Sequence, residues 1–281
     1  MVDRLLTKNI IEDFAQWLRL EEKSDITIEK YVRDVSAFYK YIEHAQISKD
    51  RVIAYKNNLV IKGYAVCSIN SMLASLNSLF TFLGWTECKV KSIKQQRQAY
   101  CSKDKELTQN EYMRLLKVAK HKGNLRLNLL IQTICATGIR ISELQFVTVE
   151  AVKRGEAIVN CKGKTRKVFI VCDLQKKLLA YATKQKIKSG SVFITRNGKP
   201  MSRTNIWREM KNICKDANVS PKKVFPHNLR HLFARVFYSL EKDIARLADI
   251  LGHSNINTTR IYISTSGAEH CKLMNDMRLI I

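Results

Sequence analysis

The sequence predicts a mainly α-helical protein of two domains, with a small antiparallel β-sheet in the second domain. Apolar residues recur at helical spacing through most of the 281 residues. Near the middle, two short apolar runs flank a glycine-containing turn, which is typical of a β-hairpin. A basic segment without an apolar period separates two helical regions, so two separate cores are expected.

Residues 1–88 are predicted to form a unit of four helices, of which the first two are strongly amphipathic. The third helix spans about 49–62 and stops at Gly63, and the fourth ends before Gly84, because glycine readily adopts the conformation that terminates a helix. The apolar positions of the first, second and fourth helices are Ile10, Ile11, Phe14, Trp17 and Leu18; Ile28, Tyr31, Val32, Val35, Phe38, Tyr39 and Ile42; and Ile69, Met72, Leu73, Leu76, Leu79, Phe80 and Leu83.

Residues 89–105 are predicted to be a basic linker between the domains. One acid, Asp104, stands among the basic residues Lys89, Lys91, Lys94, Arg97, Lys103 and Lys105. Such a segment is usually a solvated tether, but between two basic domains it can also lie along a phosphate backbone.

The second domain is predicted over residues 106–281. It opens with a capping box at 108–111 in front of a helix, and a second helix is closed by Gly138. Strands at 157–161 and 167–171 flank the turn 162–165, and 192–194 is a possible third short strand. After Ser202 the apolar period is helical, with loops near 218–226 and 252–255.

The composition favours a polyanionic partner. The formal net charge is +24, and residues 101–281 hold 34 Lys and Arg against 14 Asp and Glu. Such an excess is far more than solubility requires, so nucleic acid is the first partner to consider. Eight cysteines without a CxxC pair indicate reduced thiols in a cytoplasmic protein. No apolar run approaches the roughly 20 residues that a membrane helix needs, so no membrane partner is expected.

Two of four notable stretches lie in the first half of this domain. In residues 136–144, Gly138 ends a helix and places Arg140 on the turn that follows. Lys162 lies at the tip of the predicted hairpin, beside Gly163. Taken alone, each cation is more typical of a solvated or salt-bridged surface residue than of a catalytic one.

The third stretch is residues 226–231, in which His227 precedes a helix and Arg230 lies one turn further along. His227 and His231 have the i, i+4 spacing of some metal ligands, but no third ligand falls nearby, so no metal site and no cofactor are predicted.

The fourth stretch begins at residues 251–253, where Gly252 is predicted to cap a helix and to leave His253 in a loop. Tyr262 follows nine residues after His253, between two isoleucines. A lone tyrosine in that setting is usually a core residue, so its meaning depends on the other stretches.

In this order, the stretches resemble the tyrosine recombinase (phage integrase) family. Its second domain carries an Arg in A-T-G-x-R-x-S-E-L, a Lys in a β-hairpin, H-x-x-R, L-G-H, and a nucleophilic Tyr nine residues after that last His. The similarity is close over residues 101–265. Residues 1–88 resemble the family's SAM-like core-binding domain in length and pattern only. The resemblance therefore implies a helical clamp domain followed by an α+β catalytic domain.

The resemblance assigns six catalytic positions: Tyr262 as nucleophile, with Arg140, Lys162, His227, Arg230 and His253. Two features depart from the family pattern. The strand after the hairpin lacks a proline often found there, and Lys164 is close enough to Lys162 to leave the choice of lysine open. We expect further DNA contacts from Lys89, Lys91, Lys94, Arg97, Lys164, Arg166, His231 and Arg260.

For function, the resemblance implies site-specific recombination or integration of double-stranded DNA through a 3′-phosphotyrosyl intermediate, without metal or ATP. It also implies a homotetramer on two duplexes. The tail from about residue 265 either packs on its own domain or is donated to a neighbouring protomer. A short-site recombinase or an integrase of a compact mobile element is favoured, since the chain begins directly at the four-helix unit.

Two other interpretations remain open. A type IB topoisomerase-like enzyme uses similar residues but relaxes supercoils without pairing two sites; the L-G-H motif favours a recombinase. A DNA-binding regulator with a decayed catalytic site is the second alternative, against which all six positions are filled with the expected residue type.

Overall fold

The computed structural model describes residues 4–43, 45–94, 106–161, 164–262 and 275–276. The chain divides into two compact units, Met1–Arg97 and Gln98–Ile281. Each unit has its own core, and the predicted fold class is confirmed: helices dominate, and the sheet has two antiparallel strands. In the described part of the chain, no helix combines the length and apolarity needed to cross a membrane.

The first unit contains the four predicted helices: α1 (Lys8–Leu20), α2 (Asp25–Ile42), α3 (Lys49–Ile61) and α4 (Val66–Phe82). Thr7 and Ser48 cap the amino ends of α1 and α3, where their hydroxyls accept backbone N–H groups that lack a helical partner. A 3-10 turn, Thr86–Cys88, follows α4. The apolar faces of the helices meet in a core that includes Phe14, Phe38 and Leu76.

Residues 89–94, here called the strap, are bound to α4 by two asparagines. Asn77 donates from Nδ2 to the carbonyl of Val90 (2.9 Å), and its Oδ1 accepts the N–H of Val90 (3.1 Å). Two helical turns earlier on α4, Asn70 makes the same pair of bonds with Ile93, at 3.0 and 2.7 Å. Val90 is buried. The first six residues of the predicted linker are therefore fixed to the first unit, and residues 95–105 lie outside the described residues.

We expect Asn77→Ala to lower the free energy of unfolding of the first unit by about 2 kcal/mol, because it leaves a half-buried backbone N–H and C=O of Val90 without partners. Chemical denaturation followed by tryptophan fluorescence measures this loss, since Trp17 and Trp85 both lie in the first unit. Asn57→Ala, at an exposed position of α3, is the matched control. Equal stability of the two variants would contradict the role of the strap.

The second unit begins with α5 (Gln109–His121), which has the predicted capping box: the Thr108 hydroxyl accepts from the N–H of Glu111, and the Glu111 carboxylate accepts from the N–H of Thr108. Next come α6 (Leu125–Thr137), a 3-10 turn (Ile141–Phe146) and α7 (Val149–Arg154). The remaining helices are α8 (Cys172–Lys184), α9 (Arg203–Asn212), α10 (Pro226–Glu241), α11 (Ile244–Leu251) and α12 (Ile256–Arg260).

The predicted hairpin consists of β1 (Glu156–Cys161) and β2 (Lys164–Phe169), paired antiparallel with Val159 opposite Arg166. The second strand begins at Lys164, three residues earlier than the sequence pattern indicated, and residues 162–163 lie outside the described residues. The third strand predicted at 192–194 is wrong. The described residues in this region form only isolated β-bridges, between Thr148 and Ser191 and between Ile194 and Pro200. The apolar run reflects burial and not strand pairing, since Val192 and Phe193 lie in the core of the unit.

Candidate active site

Two glycines place the predicted site residues at element ends. Gly138 (φ +61°) ends α6 and Gly252 (φ +65°) ends α11, each in the left-handed region that favours glycine. A Cβ atom on Gly138 would lie 2.5 Å from Cδ1 of Phe233 on α10, so glycine also permits α6 and α10 to pack closely. Arg140 therefore leaves α6, and His253 leaves α11, near the amino end of α10.

Arg230, on α10, lies at the centre of the site with only 1% of its surface exposed. Its guanidinium donates to the carbonyl of Gly138, to the carbonyl of Leu251 (2.7 Å) and to Nε2 of His253 (2.9 Å). Burial, together with the charge of Arg140, lowers the pKa of Arg230 to about 10, while interaction with Tyr262 opposes that shift. The side chain is therefore a cation at neutral pH.

The hydrogen bonds of His253 define its protonation state. Because a guanidinium can only donate, Nε2 of His253 must accept from Arg230, so the ring proton lies on Nδ1 and is donated to the Thr259 hydroxyl (2.8 Å). Desolvation, followed by the charge of Arg230, lowers the pKa of His253 to about 4. Thr259, which is buried in α12, thus orients the imidazole.

Tyr262 follows α12 and is 5% exposed. Its ring lies 4.2 Å from the ring centroid of His231, 5.4 Å from that of His253 and 5.6 Å from that of His227. The His253 ring is nearly parallel to it, with an interplanar angle of 13°. The tyrosine therefore belongs both to a small core, as expected of its apolar neighbours, and to the cluster of catalytic candidates.

Arg140 is the more accessible arginine, with 35% of its side chain exposed. It donates from Nη1 to Oε1 of Glu143 (2.8 Å) and from Nη2 to the carbonyl of Gly252 (3.1 Å). Glu143 is 1% exposed and also accepts from Arg166 (2.6 Å). Burial alone would raise the pKa of Glu143, but the hydrogen bonds from Arg140 and the charge of Arg166 outweigh it and leave that pKa lowered.

The sequence pattern did not lead to Glu143 as a site residue, and it predicted Arg166 as a DNA contact. Glu143 is the glutamate of S-E-L in the first motif, so that motif could have identified it as a site residue. Its contact with Arg166 is separated by 23 residues and has no local pattern. His231, predicted to contact DNA, packs against the ring of Tyr262.

The remaining predicted site residues lie outside the cluster around Arg230 or outside the described residues. Lys162 and Arg97 lie outside the described residues, and Lys164 begins β2. Lys91 and Lys94 are exposed on the strap, Lys89 is partly buried there, and Arg260 is exposed at the carboxyl end of α12. Within the described ranges, no group of three or more His, Cys, Asp or Glu residues is placed to hold a metal ion.

The histidines of the site are expected to make the protein sensitive to acid. Desolvation, then His227, lowers the pKa of His231 to about 3, and desolvation also lowers the pKa of His227. A histidine whose folded pKa is depressed contributes its full stability above the ordinary pKa near 6.5, and that stability is lost as the pH falls toward the folded value. Each such histidine changes the free energy of unfolding by at most about 1.4 kcal/mol per pH unit.

We therefore expect the free energy of unfolding to fall between pH 7.5 and 5.5, and His231→Phe to reduce that fall by about 1 kcal/mol while keeping an aromatic ring against Tyr262. Denaturant titrations at the two pH values measure the difference. The control is His121→Gln, at an exposed position of α5. An unchanged pH dependence in His231→Phe would show that this imidazole titrates normally.

Sequence comparison finds two family matches that together span most of the chain. Residues 105–269 match the phage integrase family, and residues 11–87 match the phage integrase N-terminal SAM-like domain. The tyrosine recombinase XerA of Pyrococcus furiosus is 29% identical over 97% of this chain and 94% of that protein. The tyrosine recombinase XerD of Oceanobacillus iheyensis is 27% identical over 92% of this chain and 94% of that protein.

Solved structures share the fold. A lambda integrase (75–356) dimer bound to a COC′ core site matches with a TM-score of 0.75 and 16% identity, over 94% of this chain and 96% of that one. XerH site-specific recombinase bound to difH substrate, in a pre-cleavage complex, matches with a TM-score of 0.72 and 19% identity, over 98% of this chain and 85% of that one. At 16% and 19% sequence identity, the similarity to these two structures concerns the fold alone.

Proposed function

The chain belongs to the phage integrase family of tyrosine recombinases, and from this membership we propose that it cleaves and rejoins DNA at specific sites with Tyr262 as its nucleophile. The observation that carries the proposal is the cluster around Arg230, in which a buried cation, the neutral His253 and Tyr262 meet. Arg230 comes from α10, whereas His253 and Tyr262 come from the segments after α11 and α12, yet the three side chains meet at one place.

The two arginines suit a phosphodiester. Attack on phosphorus builds negative charge on the non-bridging oxygens, and cations that are already fixed in place stabilise that charge most. Arg230 is fixed by two carbonyls and His253, and Arg140 by Glu143 and a carbonyl. A guanidinium can present two donors to two oxygens.

Tyr262 needs to lose a proton as it attacks, because a phenol ordinarily has a pKa near 10. His227 is suited to accept it, since its lowered pKa leaves the imidazole neutral at pH 7. The bond between phosphorus and the 5′-oxygen breaks as the bond to the Tyr262 oxygen forms, and we assign to Lys162 the proton that the departing oxygen requires. The product is a 3′-phosphotyrosyl link and a free 5′-hydroxyl.

Rejoining is the reverse reaction, in which a 5′-hydroxyl attacks the phosphotyrosyl bond. The energy of the original phosphodiester is kept in that bond, so we propose that neither ATP nor a metal is required. We place Lys91 and Lys94 of the strap on DNA phosphates, since the strap fixes their backbone while both side chains are exposed. Assembly as a homotetramer on two duplexes, a role for the tail from about 265 and a cytoplasmic location belong to the same proposal.

The test starts from random duplexes that carry a nick, so that cleavage releases a short fragment and traps the enzyme. Selection of DNA that stays attached to the protein after denaturation would yield the recognised site, and peptide mapping of the adduct should find the phosphotyrosine at Tyr262. Pairing of two such sites to give exchanged strands separates a recombinase from a topoisomerase-like enzyme. Failure to form any adduct on a site that the protein binds specifically would overturn the proposal.

A further inference from the structure

Thr259 contacts the site through both its side chain and its backbone. The residue is fully buried in α12, and its hydroxyl lies 2.8 Å from Nδ1 of His253. Its carbonyl accepts the N–H of Tyr262 (2.9 Å). One residue therefore meets the imidazole of the site with its side chain and the proposed nucleophile with its main chain.

The His253 ring is held at both of its nitrogens. Nε2 accepts from Arg230 (2.9 Å), and Nδ1 donates to the Thr259 hydroxyl. The backbone of His253 is fixed as well, because its N–H donates to the carbonyl of Ala248 near the end of α11 (2.9 Å). Desolvation and the charge of Arg230 lower the pKa of His253 to about 4, so at pH 7 the ring is neutral and carries its single proton on Nδ1.

This tautomer of His253 does not suit a phosphate at the site. Nε2 carries a lone pair and can only accept, and the oxygens of a phosphodiester can only accept as well. A phosphate oxygen that bound the guanidinium of Arg230 would therefore face the Nε2 lone pair, which is a repulsive arrangement. The repulsion disappears when the ring proton is on Nε2, because Nε2–H then donates to the phosphate. The reaction thus calls for the second tautomer of His253.

A hydroxyl can serve both tautomers, since it donates one hydrogen bond and accepts others, whereas a carbonyl can only accept. We propose that Thr259 is a positioning residue for His253: its hydroxyl accepts from Nδ1–H in the arrangement described, and donates to Nδ1 when Nε2–H turns to the phosphate. The inference rests on the proposed function, in which a phosphate occupies the site. The exchange conserves protons, because Nδ1 releases one to water, Nε2 takes one up and the hydroxyl hydrogen reorients.

The kinetic test compares two substitutions of Thr259 on the nicked duplex that carries the recognised site. Thr259→Val keeps the branched shape and the backbone carbonyl but loses the hydroxyl, and Thr259→Ser keeps the hydroxyl. We expect Thr259→Val to form the adduct about 10- to 100-fold more slowly than wild type, somewhat less than the loss of a direct transition-state donor. Thr259→Ser should stay within about threefold of wild type. Rates are normalised to the fraction of protein that binds DNA, and Thr258→Val, an exposed neighbour on α12, should react normally.

A positioning residue acts only through the residue that it positions. The same substitution is therefore repeated in a His253→Phe background, which keeps a ring against Tyr262. We expect Thr259→Val to slow adduct formation by less than about twofold further in that background, because the imidazole it orients is already gone. A residue that merely supported α12 would slow both backgrounds alike.

The tautomers themselves are read by NMR of protein labelled with ¹⁵N in its histidine rings, since protonated and unprotonated ring nitrogens have different chemical shifts. The Tyr262→Phe protein is used so that the DNA stays intact, and the His253 signals are those that His253→Phe removes. We expect the Nδ1–H tautomer in the protein alone and the Nε2–H tautomer in the complex with the recognised duplex.

The same tautomer with and without DNA would overturn the inference, and so would a doubly protonated ring in the complex. It would also be overturned if Thr259→Ser were as slow as Thr259→Val, or if Thr259→Val had its full effect in the His253→Phe background. If wild type binds its site but forms no adduct, the proposed function fails instead. The tautomer change on that DNA then still decides whether Thr259 serves both forms of His253.

Discussion

Tyr262→Phe is expected to form no covalent adduct with DNA while binding it within about threefold of the wild-type affinity. The substitution removes one oxygen and keeps the ring that packs on His231 and His253. Because the tyrosine is 5% exposed within a small core, a ring of the same shape preserves that core. Denaturing gels of trapped complexes measure the adduct, and gel shifts at fixed salt measure the affinity.

Tyr238→Phe is the matched control, since Tyr238 packs against the same small core and lies on α10. It should form the adduct at the wild-type rate. An adduct in Tyr262→Phe would mean that another residue is the nucleophile. Loss of both adduct and binding would instead indicate that the hydroxyl supports the structure of the site, most directly through Arg230.

The helices and the order of the site were predictable because both leave local patterns. Amphipathic spacing marks the side of α2 that is buried, and Gly138 and Gly252 mark helix ends that the structure confirms. The identity of the clustered residues came from their order along the chain, as the resemblance implied. The near-complete burial of Arg230 was not predictable, because an arginine in isolation is typical of a surface.

The contacts that were missed join positions far apart in the sequence. Asn70 and Asn77 bind the strap through side chains that pair with backbone groups, and such bonds leave no apolar period in the partner segment. Glu143 and Arg166 likewise interact over 23 residues. The apolar run at 192–194 led to the opposite error, a predicted strand that the structure does not form. Burial in a helical core and pairing in a sheet select the same residue types.

The second largest effect is expected on the rate of DNA cleavage when Lys162, the proposed general acid, is replaced, and the comparison with Lys164 tests that assignment. We expect Lys162→Ala to slow cleavage of the ordinary oxygen-linked substrate by about 10²- to 10⁴-fold, the range for loss of a general acid. The variant should recover most of the wild-type rate on a substrate in which sulfur replaces the bridging 5′-oxygen of the scissile phosphate, because a thiolate leaves without a proton. Lys164→Ala should slow cleavage only a few-fold and equally on both substrates, as expected of a phosphate contact.

The proposed function gives different roles to two lysines that stand two residues apart, Lys162 as the general acid and Lys164 as a phosphate contact. Lys164 begins β2, where its backbone pairs with that of Cys161, whereas Lys162 lies outside the described residues. If the rescue by sulfur occurs with Lys164→Ala and not with Lys162→Ala, then Lys164 is the general acid and the assignment of Lys162 fails.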